Sequence, residues 1–247
     1  MPLDVELLRP GEGEETAAKR LLERVFANYP RFFDAVVGDA LYLDAPFIDF
    51  CLDHHKHVIV TIRGDKRLLL QDAQGLFGQQ QPGQWSEGKC RIQYWDVDGF
   101  TSCDGVQQPL RVLHTLETVQ RRHRVAGQWQ VREETASWYW ATTFSSQQLP
   151  TRTFWRAAHR RWDIENDCFN TLSTHWGLDH CYKHDANAIT NFTLTLFIVF
   201  VLLQSFWRRN LKPAKRVLLT LIAVARELDR GLADCHASWS RQLTRGP

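Results

Sequence analysis

Two carboxylates stand at positions where acidic side chains do chemistry. Asp39 follows a short apolar run, Phe33 to Gly38, where a strand gives way to a loop. That edge of an open α/β sheet is where ligands and catalytic groups gather. Glu165 lies in the run Arg160-Arg161-Trp162-Asp163-Ile164-Glu165-Asn166-Asp167, one helical turn after Arg161 and on the same face. Both are therefore candidate catalytic carboxylates. Each also has a plainer reading. Asp39 could be a helix cap or turn residue, and Glu165 half of a surface ion pair, although Arg before Glu is the weaker orientation for one.

The elements that must position these residues follow from periodicity. Residues 2–9 alternate partly and read as a strand, broken by Pro10-Gly11 and Gly13. Ala18, Leu21, Leu22, Val25 and Phe26 recur at helical spacing, with Pro30 past the end. Phe33 to Gly38 is a strand, Pro46 to His54 a helix, and His57 to Arg63 a buried strand. Strand and helix in alternation are α/β grammar. Residues 71–84 are rich in Gln and Gly and read as a connection. From Lys89 to Phe144 the chain reads as β: Cys90 to Trp95, a turn at Asp96-Val97-Asp98-Gly99, then Leu110 to Val119, Gln128 to Arg132 and Ala136 to Phe144. Helices are expected at 153–176, 186–207 and 213–230.

Composition bounds the alternatives. The chain has 247 residues, 44% hydrophobic and 23% charged, which describes a folded globular protein rather than a disordered one. A net charge of +2 announces no nucleic-acid partner, but the positives cluster at Arg121-Arg122-His123-Arg124, at Arg152, Arg156, Arg160 and Arg161, and from Arg208 to Arg216. Six cysteines show no C-x-x-C spacing, and reduced thiols in a cytoplasm are the expectation. Cys168, His180, Cys181 and His184 lack a recognised zinc-ligand spacing and read as packing or solvent residues. The uncharged stretch 186–207 has the length of a membrane span, but Asn187, Thr190, Asn191, Thr193, Thr195, Gln204 and Ser205 dilute it. It reads as a helix buried on most sides in a soluble core.

The run Val37-Gly38-Asp39-Ala40-Leu41-Tyr42, the strand Val58 to Ile62, the β-rich stretch, and His159-Arg160-Arg161-Trp162-Asp163-Ile164-Glu165-Asn166, in that order, resemble bacterial insertion-sequence transposases with the DDE catalytic triad. These belong to the RNase H-like group in which an inserted β domain separates the last two acids. The resemblance runs over nearly the whole chain, and its most specific parts are R-W-x-I-E-N and D-A-L-Y. It implies that Asp39 is the second triad acid and Glu165 the third, both ligands of Mg2+ (or Mn2+). It implies that Arg161 is the arginine of the family's Tyr-Arg-Glu-Lys signature, set on a DNA phosphate, with Arg160, Arg156 and Lys183 as further DNA contacts. Two positions depart from the signature: Ala158 stands at the tyrosine, and Leu172 and Ser173 stand where the lysine is expected. Trp85, Trp95, Trp129, Trp138 and Trp140 could stack on an extruded base, against a preferred reading as β-core packing.

The first triad acid belongs on the first strand of such a sheet. Only the strand at 2–9 precedes the first helix here, and it reads like the third. The first two strands, their Asp and the family's N-terminal DNA-binding region are therefore expected to be missing, leaving the 2–9 strand near an exposed edge. Asp4 is not assigned the role. The expected fold class is α/β: an RNase H-like mixed sheet with helices, interrupted by a β-rich insertion and followed by C-terminal helices. The division is 1–66 (N-terminal part of the core), 67–147 (insertion), 148–210 (C-terminal part with the Glu helix) and 211–247 (helical tail). The expected function is that of a transposase, Mg2+-dependent cleavage and strand transfer of transposon-end DNA into target DNA, by a homodimer, in a bacterial cytoplasm at the nucleoid and without a membrane. The chain itself is expected to be an incomplete fragment short of full activity rather than a working enzyme. The alternatives are a non-catalytic DNA-binding remnant, and a membrane-associated protein anchored by 186–207.

Overall fold

A computed structural model describes the backbone of residues 2–64, 68–125 and 128–243, and the side chains of all of these except Val125 and 235–243. The chain divides into two compact units, Leu8–Ile164 and Glu165–Pro247, the latter joined by Met1–Leu7.

In the Leu8–Ile164 unit the order is α1 (Glu14–Asn28), β1 (Ala35–Gly38), α2 (Ala45–Asp53), β2 (His57–Thr61), α3 (Leu68–Phe77), β3 (Gly83–Glu87), β4 (Cys90–Phe100), β5 (Leu110–Val125), β6 (Gln128–Thr142), α4 (Thr151–His159) and a single turn, α5 (Arg161–Asp163). The strands form one six-stranded sheet in the order β1-β2-β6-β5-β4-β3 among the described residues. β1 and β2 run parallel, and the remaining pairs are antiparallel, with Val60 opposite Ala141 where β2 meets β6.

Alternation along β2 decides the layers. Val58 and Val60 face the same side as Val112 and Ala141, and there meet Phe47, Ile48 and Cys51 of α2 and Leu69, Leu70, Ala73 and Phe77 of α3. Ile59 faces the other side, where Leu113 and Trp140 pack against Phe154 and Ala158 of α4. Because β2 is covered on both faces, every position from Val58 to Thr61 is buried, which is why it reads as an unbroken apolar run. Each of its fully buried aliphatic side chains stabilises the fold by roughly 1.5–3 kcal/mol. Lys56 is 7% exposed and its Nζ donates to the carbonyls of Pro30 (2.6 Å) and Phe33 (2.7 Å). That pins the segment entering β1.

Several expectations from periodicity are corrected. Residues 2–9 form no strand. A strand needs a neighbour for its backbone groups, and here Asp4 Oδ1 accepts from the Val5 amide at 2.7 Å while Val5 packs into a helical core. The Gln/Gly-rich stretch holds α3 and β3. Leu69, Leu70, Ala73 and Phe77 carry a helical stripe that the glutamines between them obscured. The turn expected at 96–99 is instead the continuation of β4, with a bulge between Val97 and Phe100. Gly99 sits there at φ +96, a conformation a glycine adopts without strain. The two strands expected at 128–132 and 136–144 are one, β6, because β5 pairs with it continuously from Arg111 to Val125. The expected boundary at 66/67 lies outside the described residues; β3 to β6 join the same sheet as β1 and β2.

The Glu165–Pro247 unit holds most of a π-helical stretch (Ile164–Phe169), then α6 (Asn170–Trp176), α7 (Ala186–Asn210), α8 (Pro213–Leu218) and α9 (Leu221–Leu243). The helix expected at 153–176 is thus broken, and the one at 213–230 is split before Leu221. Gly177 at φ +65 ends α6, and Asp185 Oδ1 caps α7 by accepting from the Ala188 amide at 2.9 Å. The core here is Cys168, Leu172, Phe197 and Phe200, joined by Val5, Trp176, Leu178, Leu196 and Leu221. α7 is not buried on most sides. Thr193, Phe197, Phe200 and Leu203 form one buried stripe, while Ile198, Val199 and Leu202 are exposed. By length and composition alone α7 is apolar enough to cross a membrane.

Candidate functional site

Asp39 stands where β1 ends. Its backbone is extended (φ −86, ψ −170), and its Oδ1 accepts from the Leu41 amide at 2.8 Å, capping a 3₁₀ turn over Ala40–Tyr42. The plainer reading of Asp39 as a cap is therefore realised in one of its two carboxylate oxygens, while the side chain stays exposed to solvent. Gly38 makes this turn possible. A Cβ there would lie 2.9 Å from Tyr42 Cδ2 and 3.1 Å from Tyr42 Cβ, so the ring folds back directly over the glycine. Tyr42 in turn donates its hydroxyl to Glu14 Oε1 at 2.8 Å. Burial and then that carboxylate raise the phenol far above its ordinary value.

α4 brings the arginines. Arg156 donates to Glu87 Oε1 of β3 at 2.7 Å, and Arg152 donates to Glu87 Oε2. Arg152 first and then Arg156 hold the Glu87 carboxyl below the usual carboxylate range. Arg156, expected on DNA, is thus held by the sheet edge. Arg160 follows α4 as its C-terminal cap and is exposed. The Arg161 guanidinium lies 4.6 Å over the Trp162 ring, a cation–π contact, and Trp162 leans on Trp138 at 4.7 Å.

Between Ile164 and Phe169 the helix widens to π geometry, a local feature frequent at functional sites. Glu165 is its second residue and is exposed. Asp39 and the three arginines belong to the Leu8–Ile164 unit, Glu165 and Lys183 to the other. Lys183 is exposed in the loop before α7. At the signature positions Ala158 is 2% exposed among Ile59, Leu113 and Trp140, Leu172 is 0% exposed in the helical core, and Ser173 is half-buried. A lysine at position 172 would carry an unpaired charge into an apolar core, which is costly.

A second constellation escaped sequence reasoning. Glu117 of β5 is 8% exposed. Its Oε1 accepts from Trp155 Nε1 at 2.7 Å and Thr115 Oγ1 at 2.9 Å, and lies 2.8 Å from His159 Nε2. Burial alone would push this carboxyl up, but the hydrogen bonds from His159, Trp155 and Thr115 outweigh it and hold the group below the usual range. The His159 ring lies among four indoles, Trp155 at 4.9 Å, Trp140 at 5.1 Å, Trp162 at 5.4 Å and Trp138 at 6.0 Å. This cluster fastens the C-terminal end of α4 to the sheet, immediately before Arg160 and Arg161. One signal pointed to it: Glu117 is an acid on the inward alternation Leu113-Thr115-Glu117.

The tryptophans mostly pack. Trp140 is 1% exposed, Trp85 contacts Tyr94 and Trp155, and Trp95 stacks on His114. Trp129 differs, at 69% exposed. Cys181 Sγ lies 3.5 Å from His184 Nδ1, but among the described residues no three His, Cys, Asp or Glu side chains are grouped to hold a metal ion. A cavity of about 770 Å³ in the helical unit is lined by Trp176, Val199, Leu202, Phe206, Ile222 and Leu228, among others; it contains none of the expected site residues.

A family model described as Transposase DDE domain matches residues 1–202, four fifths of the 247. A comparison with curated proteins found no match. The mixed sheet with helices on both faces agrees with the RNase H-like class of such domains.

Proposed function

The chain belongs to the transposase DDE domain family, and from that premise we propose that it is an insertion-sequence transposase that cleaves DNA ends and joins them to a target by divalent-metal-dependent phosphoryl transfer. The observation that carries this reading is Glu165, exposed on a π-helical stretch that begins three residues after Arg161, inside the matched residues.

Asp39 and Glu165 are the second and third acids in this reading, and they would hold the metal ions. Exposed carboxylate oxygens are the hard donors that Mg2+ or Mn2+ accepts, and the Asp39 oxygen not engaged by Leu41 is available for the task. Bound there, two such ions supply activation of the attacking oxygen and stabilisation of the leaving one. In the same reading Arg161 and Arg160 hold DNA phosphates, and Lys183 adds a charge; Arg156 reaches DNA only by leaving Glu87. The first acid is assigned to no residue. The proposed modules are 1–66 and 148–210 as the two parts of the catalytic core, 67–147 as insertion and 211–247 as tail, acting as a homodimer on DNA in the cytoplasm.

The test is nicking of DNA carrying the ends of the element, assayed with and without Mg2+. Glu165→Ala and Asp39→Ala are expected to abolish metal-dependent nicking while leaving DNA binding in place. Undiminished nicking by Glu165→Ala would sink the assignment. A second reading, a DNA-binding remnant without chemistry, draws on the buried apolar residues Ala158 and Leu172 at the two signature positions. It predicts salt-dependent DNA binding with no nicking by the wild type.

A further inference from the structure

β5 and β6 outrun the sheet. The last pair joining β4 to β5 is Cys90 with Val119, and β2 pairs with β6 only from Trp140 to Thr142. Beyond Val119 and Glu134, the two strands pair only with each other among the described residues, through six further pairs from Gln120–Glu133 to Val125–Gln128. At about 3.4 Å per residue the ribbon is roughly 20 Å long.

Its composition is not that of an idle hairpin. Directly opposed residues share a face, so Arg122, Arg124, Trp129 and Val131 stand together on one side, through the pairs Arg122–Val131 and Arg124–Trp129. Trp129 is 69% and Val131 59% exposed. The other side carries Arg121, His123 and Arg132, with Glu134 bridging Arg121 at 3.2 Å and His123 at 2.6 Å. Positive charge is thus partly neutralised on one face. On the other, Glu133 stands at the root, 3.9 Å from Arg91. A large aromatic and a valine exposed between arginines mark a surface built for contact rather than for solvent.

We propose that this ribbon is a DNA-binding arm that lies in the major groove of a duplex, with Arg122 and Arg124 on the flanking phosphates and Trp129 and Val131 against the base edges. Three observations converge: a two-stranded ribbon has the cross-section a major groove admits, two arginines match a polyanion, and the exposed apolar pair supplies contact area that salt does not screen. The inference rests on the transposase reading and adds to it a contact outside Arg156, Arg160, Arg161 and Lys183.

The experiment is titration of a labelled random-sequence DNA duplex with the full chain across a series of salt concentrations. R122A/R124A is expected to bind on the order of 10-fold more weakly at moderate salt, with the slope of log affinity against log salt shallower by about 2. W129A is expected to lose affinity at an unchanged slope, and Trp129→Phe to recover most of it. Unfolding in urea should be little altered in all three, since Arg122, Arg124 and Trp129 are exposed. Wild-type affinity in R122A/R124A overturns the proposal. So does a change in oligomeric size with DNA affinity unchanged, which would give the ribbon to a second copy of the chain. If the wild type binds and nicks DNA while the arm variants do the same, only the arm fails; if the wild type binds no duplex, the transposase reading fails with it.

Discussion

Replacing Glu117 by alanine tests whether the buried carboxylate fastens α4 to the sheet. The substitution leaves Trp155 Nε1, Thr115 Oγ1 and His159 Nε2 without their shared partner. A buried donor deprived of its partner costs about 1–3 kcal/mol, and three side chains meet this one carboxylate oxygen. Because the His159 side chain is 28% exposed, water relieves part of that loss, and an overall cost of about 3–4 kcal/mol follows. Glu117→Gln keeps an acceptor oxygen and the volume but not the charge, and should cost about half as much. Urea unfolding at neutral pH, followed by tryptophan fluorescence from the cluster around His159, measures both. The pH dependence has a definite sign. The folded carboxyl titrates below its ordinary value of 4.5, so its stabilisation is fully present above that value. It is lost as pH falls through the lowered one. Wild type and Glu117→Ala should therefore converge in acid. A neutral-pH difference under about 1 kcal/mol, or a gap that widens on acidification, refutes the reasoning.

Two further outcomes follow from buried groups. Gly38→Ala drives a methyl against Tyr42, so it should destabilise by about 1–3 kcal/mol in thermal unfolding and depress metal-dependent nicking by shifting the turn that presents Asp39; unchanged activity and stability would contradict the close packing. His114, stacked on Tyr139 at 3.9 Å and on Trp95 at 4.8 Å, is pushed down by burial from 6.5 to about 4. The unfolded chain then takes up a proton below pH 6.5 that the folded one refuses until about 4. Stability should fall across that window by up to about 3 kcal/mol, and His114→Phe should flatten the fall in pH-dependent urea midpoints.

The elements around Asp39 were legible because each announces itself locally. Ala18 to Phe26 carry a helical stripe, Val58 to Ile62 an unbroken apolar run, and Pro30 and Gly38 mark the breaks. The stretch of β3 to β6 was legible as β but not in its joints. The Asp96-Val97-Asp98-Gly99 run has turn chemistry, yet β4 continues through it. Asp96 is drawn inward by Arg111, 1% exposed, which donates to it from Nε at 2.6 Å. A long-range ion pair overrode a local propensity. In the same way nothing within Arg152 to Arg161 says that Arg156 is engaged by a glutamate 69 residues earlier. The strand expected at 2–9 failed although its alternation was real: among the described residues no strand pairs with it, and Val5 packs into a helical core instead.

Local chemistry thus determined a good deal by itself: the α/β grammar, and a family resemblance written in near neighbours such as Arg161, Trp162, Ile164 and Glu165. Periodicity and turn residues act within a few positions of themselves, and a contiguous motif survives reading in one dimension. The tertiary structure decided what depends on partners distant in sequence. It merged β3 to β6 with the β1–β2 pair into one sheet and broke the helix into a π turn at Ile164. It buried Glu117 under His159, and it left the Arg122–Trp129 face of the ribbon in solvent while Trp138 and Trp140 on the same strand went into the core. The same residue types met opposite fates because burial is set by what lies across the sheet.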